Sequence, residues 1–124
     1  MIFAKETTKI EFSGITNDDK DLSVDILRSV TLPLLTFIGI PGLSLQIRKR
    51  GSAPKGGGLI LFTCHYLREL QPIYMLDSGL VKRVRGLAYC SKTSPSILTR
   101  VVESSRSVLN HFLPDVYIHT DNYR

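Results

Sequence analysis

A glycine-rich stretch in the middle of the chain, RGSAPKGGGLI (50–60), constrains the fold more than any other part of the sequence. It places four glycines, a proline and two cations before an apolar run, so the backbone there can turn tightly or approach another segment closely. The apolar run LILFTC (59–64) is short enough to be a strand buried on both faces. Because a strand follows the glycines, both the P-loop and the dinucleotide-binding fingerprint are excluded, since each requires a helix at that point.

Two interpretations of this loop are open. In the first, it is a compact connection between neighbouring strands, because LSLQIR (43–48) before it alternates apolar and polar residues as a strand does. In the second, exposed amides and the cations around them form a nest for a phosphate group or an RNA backbone. The cations of the second interpretation are Arg48, Lys49, Arg50 and Lys55.

The residues before the loop predict a strand followed by a helix. KIEFSGI (9–15) alternates polar and apolar residues and predicts a half-buried strand. Ser23 is the predicted N-cap of a helix that ends at Gly39, and Pro33 within it predicts a kink or a break into two short helices. The predicted apolar stripe of this helix consists of Val24, Leu27, Val30, Leu34, Phe37 and Ile38.

A domain boundary is predicted at the turn signal Asp77-Ser78-Gly79, where the composition changes. The predicted domains are residues 1–76 and 77–124. In the second domain, VKRVRGLAYC (81–90) and VYIHT (116–120) predict strands on either side of a helix. This order predicts a right-handed crossover between parallel strands. Such a unit buries only part of its apolar surface, so we predict that it opens a larger domain.

The helix of the second domain has the clearest pattern in the chain. Ser94 is its predicted N-cap, Pro95 its first residue, and Pro114 ends it. Its predicted apolar stripe consists of Ile97, Leu98, Val101, Val102, Ser105, Val108, Leu109 and Phe112.

The charge is concentrated in the middle of the chain. The 124 residues carry a net charge of +5, but residues 41–100 hold ten Lys and Arg against two Asp and Glu. Such a block of positive charge either forms a solvated face of the protein or creates an electrostatic field that attracts a polyanion such as RNA. The apolar runs are too short to cross a bilayer and the N-terminus lacks a signal-peptide pattern, so we expect an intracellular protein with no membrane partner.

No catalytic or metal-binding constellation stands out. His65, His111 and His119 lie on different predicted elements, so we expect surface or half-buried histidines and predict no catalytic residue. The acidic stretch TNDDKD (16–21) is expected to be a solvated loop rather than a magnesium site. We therefore predict no metal and no cofactor.

The cysteines and tyrosines are expected to be structural. Cys64 and Cys90 are predicted to be reduced core residues, with a disulfide between them as the alternative. Tyr89, Tyr117 and Tyr123 are scattered along the sequence, so no stacking platform for RNA bases is expected.

The stretch RGSAPKGGGLI resembles the signature of the RNA 3'-terminal phosphate cyclase family. That signature has Arg-Gly, two residues, Pro, one residue, Gly-Gly-Gly, one residue and an aliphatic residue. Three further stretches, at 14–35, 76–95 and 104–121, resemble the eukaryotic cyclase-like branch of the family. The resemblance covers only a central part of a full-length member. The matching signature positions are Arg50, Gly51, Pro54, Gly56, Gly57, Gly58 and Ile60.

The resemblance implies an α+β fold, in the form of an α/β sandwich. Members of the family are built from repeated units of a four-stranded sheet with helices, plus an inserted smaller domain. By this resemblance, residues 1–76 are part of one repeated unit and residues 77–124 are the strand-helix-strand start of the insert.

The resemblance also implies a function in ribosome biogenesis. The cyclase-like branch lacks cyclisation activity and acts in the nucleolus, in processing of the small-subunit (pre-18S) ribosomal RNA, with a ribosome-assembly GTPase and other small-subunit processome proteins. A nuclear and nucleolar protein without cyclase activity is therefore expected, and the resemblance leaves open whether it cleaves RNA. The alternative is a fragment of an ATP-dependent cyclase that makes 2',3'-cyclic phosphate ends. No histidine of this chain lies in the motif that carries the catalytic histidine of true cyclases.

Seven cations are predicted to contact RNA phosphates or an acidic partner, because they give the middle of the chain its charge. A third possibility is that the short chain has no function alone; its two incomplete halves would then expose apolar surface, which predicts oligomers or aggregation. The predicted contact residues are Arg48, Lys49, Arg50, Lys55, Lys82, Arg83 and Arg85.

Overall fold

The computed structural model describes residues 2–91 and 93–123, without the side chains of residues 91 and 123. The chain divides into two compact units, unit 1 (Met1–Met75) and unit 2 (Leu76–Arg124). Strands and helices occur in both, which confirms the predicted α+β class. Their assignment to a repeated unit and an insert stays a prediction. Within the described ranges, every helix is too short or too polar to cross a membrane.

Unit 1 is built on a three-stranded antiparallel sheet. Its strands are β1 (Thr8–Gly14), β2 (Leu43–Lys49) and β3 (Gly58–Cys64). The central strand is β3, which pairs with β1 on one side and with β2 on the other. The glycine-rich loop therefore connects two neighbouring strands, as the first interpretation predicts.

One helical stretch of unit 1 changes its hydrogen-bond pattern twice. It consists of α1 (Val24–Ile26), a π segment (Leu27–Thr31) and α2 (Leu32–Phe37). Ser23 is the N-cap as predicted, because its hydroxyl accepts a hydrogen bond from the Ile26 amide at 3.2 Å. Pro33 lies in the first turn of α2, directly after the π segment. The wider π turn leaves room for the proline ring, so the predicted break takes the form of a widened turn.

The π segment also changes which residues face the sheet. Each of its hydrogen bonds spans one residue more than in an α-helix, so the sheet-facing stripe shifts along the sequence. Thr31 and Leu35 line an apolar cavity of about 480 Å³ between helix and sheet. Val30, Leu34 and Phe37 are exposed instead. The predicted stripe is therefore wrong at these three positions.

The central strand β3 is buried on one face only. Ile60 and Cys64 are buried, whereas Leu59, Leu61 and Thr63 are half-buried. The expectation of burial on both faces is wrong, because the helical stretch packs against the face that carries Ile60. An antiparallel sheet can leave its second face to solvent.

Unit 2 is a strand, a helix and a strand, as predicted. Its elements are β4 (Val84–Ser91), α3 (Pro95–Leu109) and β5 (Val116–Tyr123). The two strands pair in parallel, which confirms the predicted type of connection, while its hand stays a prediction. Ser94 is the N-cap residue and Pro95 the first helical residue, as predicted, but the Ser94 hydroxyl contacts the Ser96 hydroxyl at 2.8 Å and makes no capping hydrogen bond to a backbone amide. The helix ends at Leu109, before Phe112 of the predicted stripe.

Unit 2 has a small core. Leu98 of α3 and Val116 of β5 are buried, but Ile97, Val101 and Val108 of the predicted stripe are exposed. A sheet of two strands is too narrow to cover the whole apolar side of a helix with this pattern. The exposed apolar surface predicted for an incomplete unit is present.

Candidate anion-binding site around the glycine-rich loop

The seven predicted contact residues are divided between the two units. Four of them lie at the end of β2 and in the loop after it, in unit 1, and three lie at the start of β4, in unit 2. The four in unit 1 are not equivalent, because Arg50 is buried and the others are exposed.

Arg50, the first residue of the signature, makes a buried ion pair with Asp25 of α1. Both terminal guanidinium nitrogens donate to the carboxylate, and the Nη2 to Oδ1 distance is 2.8 Å. The two side chains are 8% and 11% exposed. Asn17 also donates to this carboxylate at 3.2 Å, and Arg28 lies 3.4 Å from it. The bidentate pair therefore ties the loop to the start of the helix, and its burial does not favour a role of Arg50 in binding RNA.

The pKa of Asp25 results from opposing effects. Burial raises the pKa of this carboxyl group, but hydrogen bonds from Arg50 and Asn17 and the charges of Arg50 and Arg28 lower it. The lowering effects prevail, so the pKa of Asp25 lies below its ordinary value. Asp25 is therefore ionised near neutral pH and serves as the fixed partner of Arg50.

The two outer glycines of the signature lie where the backbone of β1 leaves no space for a side chain. A Cβ atom on Gly51 would lie 2.3 Å from the carbonyl oxygen of Gly14 and 2.3 Å from the amide nitrogen of Gly58. A Cβ atom on Gly58 would lie 2.7 Å from the same carbonyl oxygen and 2.7 Å from Cγ2 of Thr16. Glycine is required here by close backbone approach rather than by a ligand.

Thr16 connects these glycines to the helix. Its amide donates to the Gly51 carbonyl at 3.0 Å, and its hydroxyl accepts from the Gly51 amide at 3.2 Å. Its own carbonyl accepts from the Val24 amide at 3.1 Å. Thr16 is itself buried. The end of β1, the loop and α1 therefore form one hydrogen-bonded network.

The middle of the loop is a tight turn. The Ala53–Pro54 peptide is cis, and Gly56 and Gly57 have φ angles of 67° and 80°, which favour glycine. The Gly56 amide donates to the Ser52 carbonyl at 2.8 Å. The amides of Gly51 and Gly56 are thus used within the protein, so the predicted phosphate nest gains no donor from them.

The remaining cations of unit 1, the loop cations Arg48, Lys49 and Lys55, are exposed. The register of β2 against β3 shifts between Ile47 and Lys49, so Arg48 lies in a β-bulge, a feature that redirects side chains at sheet ends. None of their three side chains makes a hydrogen bond or an ion pair with another described residue. Lys55 also lines an open polar cleft of about 510 Å³ beside the acidic loop. Their ammonium and guanidinium groups are available to an anion.

The cations of unit 2 differ among themselves. Lys82 and Arg83 are exposed just before β4 and make no hydrogen bond or ion pair within the described part of the chain. Arg85 makes a bidentate pair with the Asp115 carboxylate, at 2.8 and 3.0 Å. The hydrogen bonds from Arg85 hold the pKa of Asp115 below its ordinary value. The pair is exposed, so the guanidinium of Arg85 is fixed in position yet accessible.

The sheet of unit 2 places aromatic side chains of its two strands on one face. The parallel register aligns Arg85 with Tyr117, Leu87 with His119, and Tyr89 with Asp121. Alternate strand residues point to opposite faces. The helix α3 packs beside Gly86, Ala88 and Ile118, at a cavity that Leu87 and Tyr89 also line. The surface that we call the open face consists of Arg85, Leu87, Tyr89, Tyr117, His119 and Asp121.

Tyr89 and Tyr117 share the open face but lie four register positions apart, since Tyr117 is aligned with Arg85 and Tyr89 with Asp121. The expectation of no stacking platform stays a prediction. The side chain of Tyr123 lies outside the described part of the chain. In the sequence, this face is indicated by two aromatic residues at alternate positions, Tyr117 and His119, in the strand that follows the crossover helix. This pattern became informative only when the register with β4 was known.

The other candidate residues are structural or isolated. The His65 ring lies 3.0 Å from the Thr7 hydroxyl. Cys64 and Cys90 are free thiols, the first buried and the second half-buried. Asp18 accepts hydrogen bonds from the Asp21 and Lys20 amides, which lower its pKa. In residues 2–91 and 93–123, the structure groups no three His, Cys, Asp or Glu side chains that could hold a metal ion.

Comparison with known protein families gives one match over most of the chain. The sequence model described as RNA 3'-terminal phosphate cyclase matches residues 1–118. This range includes the signature loop, the three-stranded sheet, β4 and α3, and it ends within β5.

Several curated proteins are similar over nearly the whole chain. The mouse RNA 3'-terminal phosphate cyclase-like protein is 47% identical over 124 residues, which are 98% of this chain and 33% of the mouse protein. The human protein of the same name is 45% identical over 124 residues, with the same coverage. The Schizosaccharomyces pombe rRNA processing protein rcl1 is 46% identical over 123 residues, which are 97% of this chain and 34% of the yeast protein. The chain spans about a third of the length of the curated relatives it matches.

Proposed function

The chain belongs to the RNA 3'-terminal phosphate cyclase family, and on this premise we propose that it acts in ribosomal RNA processing as a non-cyclising, cyclase-like protein. The observation that carries the proposal is its 46% identity to the S. pombe rRNA processing protein, which extends over 97% of the chain. The mammalian relatives carry the name cyclase-like rather than cyclase, which favours the same branch.

The proposed RNA is the precursor of the small-subunit ribosomal RNA. We place the protein in the nucleolus, beside a ribosome-assembly GTPase and other proteins of the small-subunit processome. These finer assignments follow from the branch to which the sequence is similar, and each is open to direct test.

The loop cations are the proposed phosphate contacts of unit 1. Arg48, Lys49 and Lys55 are exposed and have no protein partner among the described residues, so binding a phosphate would not require breaking an existing ion pair. Neutralised phosphates release counterions, so an interaction of this kind weakens steeply as salt is added. Arg50, in contrast, is proposed to hold the loop in shape through Asp25.

A segment exchange tests the function in a cell. The matching segment of the S. pombe protein is replaced by this chain, and the chimera is expressed while the resident protein is depleted. The proposed function predicts that mature small-subunit RNA is restored and that precursors do not accumulate, whereas large-subunit RNA is unaffected throughout. A stable chimera that fails to restore the small-subunit RNA contradicts the proposal. Equal loss of both subunit RNAs on depletion contradicts its small-subunit part.

A titration with the 124-residue chain and a pre-18S transcript tests the loop cations. Changing Arg48, Lys49 and Lys55 to alanine is expected to reduce the slope of log affinity against log salt by about 2, since each single-strand phosphate contact contributes about 0.7. The matched control changes three other exposed cations of unit 1, Lys5, Lys9 and Arg68, to alanine. An equal reduction in both variants would show only a general effect of charge and would contradict the assignment.

A further inference from the structure

We propose that the open face of unit 2 is a stacking platform for single-stranded RNA. This inference deepens the proposed function and rests on it for the choice of RNA. It assigns a second site, in addition to the loop cations, and a different type of contact, with bases rather than with phosphates alone.

The aromatic rings of the open face are exposed to solvent. Tyr117 is 55% exposed and Tyr89 is 39% exposed, and His119 is exposed as well. The Tyr117 and His119 rings lie 4.6 Å apart at 80°, in an edge-to-face arrangement that holds both rings in defined positions. Tyrosine and histidine rings on an open sheet are the side chains on which splayed RNA bases stack.

Three cations of unit 2 lie near the ends of the strands that form the open face. Lys82 and Arg83 directly precede β4, and Arg85 is fixed by Asp115, which directly precedes β5. All three cations therefore lie at the ends where the two parallel strands begin. An RNA strand whose phosphates lie at these ends can place its bases along the rings of the open face. Cations beside aromatic rings are the usual composition of single-strand binding sites.

The composition of the open face distinguishes between RNA and a protein as its partner. Leu87 is the one aliphatic side chain of the open face, and it is half-buried. The centre of a protein interface is depleted of charged residues, whereas Arg85 and Asp121 are two of the six residues of this face. A duplex is excluded as the preferred form, because its paired bases do not expose their ring faces. The composition therefore favours a single strand.

An abasic oligonucleotide separates stacking from charge. The probes are a labelled 12-residue oligoadenylate and a 12-residue oligomer of the same charge without bases, each titrated with the full 124-residue chain. Stacking predicts that the oligoadenylate binds roughly tenfold more tightly than the abasic oligomer. Equal affinities overturn the proposal.

Single substitutions locate the effect on the open face. Tyr117→Ala is expected to weaken oligoadenylate binding roughly tenfold and to leave abasic binding unchanged, whereas Tyr117→Phe, which keeps the ring, stays within about twofold. Tyr74→Ala removes an exposed tyrosine outside unit 2 and is the matched control. Circular dichroism verifies that each variant is folded. If Tyr117→Ala and Tyr74→Ala weaken binding equally, or if Tyr117→Ala weakens binding of an acidic peptide but not of RNA, the proposal is wrong.

The test also distinguishes this inference from the proposed function. A chimera that restores small-subunit RNA while Tyr117→Ala leaves oligoadenylate affinity unchanged overturns only the stacking platform. If the chimera fails while the chain still prefers oligoadenylate over the abasic oligomer through Tyr117, the platform is supported and the role in processing is wrong.

Discussion

Around the glycine-rich loop of unit 1, which we call the closed region, polar groups bond to one another within the protein. On the open face of unit 2 they are exposed to solvent. Arg50 is buried on Asp25, and the Gly51 amide and carbonyl both bond to Thr16. Tyr117 and His119, in contrast, have exposed rings, and the side chains of Lys82 and Arg83 before β4 make no hydrogen bond or close ion pair among the described residues. The charge of Arg83 still helps to lower the pKa of Asp115.

The difference shows that the most recognisable part of this sequence has a structural role. The signature has many fixed positions because close backbone approach, positive φ angles and a buried ion pair each require a particular residue type. Groups already satisfied within the protein have little capacity left for a ligand. Residues that could act on a partner lie before the signature or at its variable position, as the loop cations do, or in the other unit.

Gly51→Ala should break the closed region most severely. The new Cβ would meet backbone atoms at 2.3 Å, and backbone cannot move aside as a side chain can. We expect a loss of at least about 4 kcal/mol in the free energy of unfolding of unit 1. Gly57→Ala is the control, because its φ of 80° is strained but its Cβ would meet nothing within 4 Å, so a loss of only about 1–2 kcal/mol is expected. Urea unfolding followed by hydrogen exchange in unit 1 peptides measures both, and equal losses would contradict the role of backbone approach.

Asp25→Ala should have the next largest effect. It leaves the buried guanidinium of Arg50 without its carboxylate, and removing one partner of a buried pair costs about 3 kcal/mol or somewhat more. Arg28→Ala, which removes the exposed neighbour of the same carboxylate, should cost less than about 0.5 kcal/mol. Unfolding midpoints of the two variants test the contrast. Similar costs would show that burial of Arg50 is not what makes the contact important.

Acid should weaken the closed region in a defined pH range. The pKa of Asp25 is lowered in the folded state, so its contribution to stability is complete above the unfolded value of about 3.9 and is lost as the pH falls through the lower folded value. The stability difference between the natural chain and Asp25→Asn should therefore be constant from neutral pH to about pH 5 and should shrink below about pH 4. Urea midpoints between pH 7 and pH 2 measure it. A difference that grows on acidification would contradict the ion pair.

Arg85→Ala on the open face should have the smallest effect on stability. Its pair with Asp115 is exposed, and exposed ion pairs contribute little. We expect no measurable change in the thermal midpoint of unit 2, and the same for Asp115→Asn. A clear fall in the midpoint would show that this pair, like that of Arg50, has a structural role and would reduce the contrast between the two regions.

The order of elements was predictable from the sequence because it depends on local patterns. Alternation along β1, β2 and β3, the cap at Ser23 and the start of α3 at Pro95 each involve residues close in the chain. The sequence did not show which residues of the first helical stretch face the sheet. The π segment before Pro33 shifts the buried stripe along the sequence, and a regular α-helical period does not describe that shift. The same limit applies to β3, whose second face stays half-buried because no helical stretch of unit 1 packs on it.

The sequence by itself determined the fold class, the strand-to-strand nature of the glycine-rich loop and the family to which the chain belongs. It did so because those features are carried by residue types that the local backbone requires. Only the tertiary structure decided what the charged and aromatic residues are available to do. Arg50 and Asp25 are 25 residues apart, and Arg85 and Tyr117 are aligned across two strands. Whether such groups are buried as a pair or open to solvent depends on long-range packing and register, which local sequence does not encode.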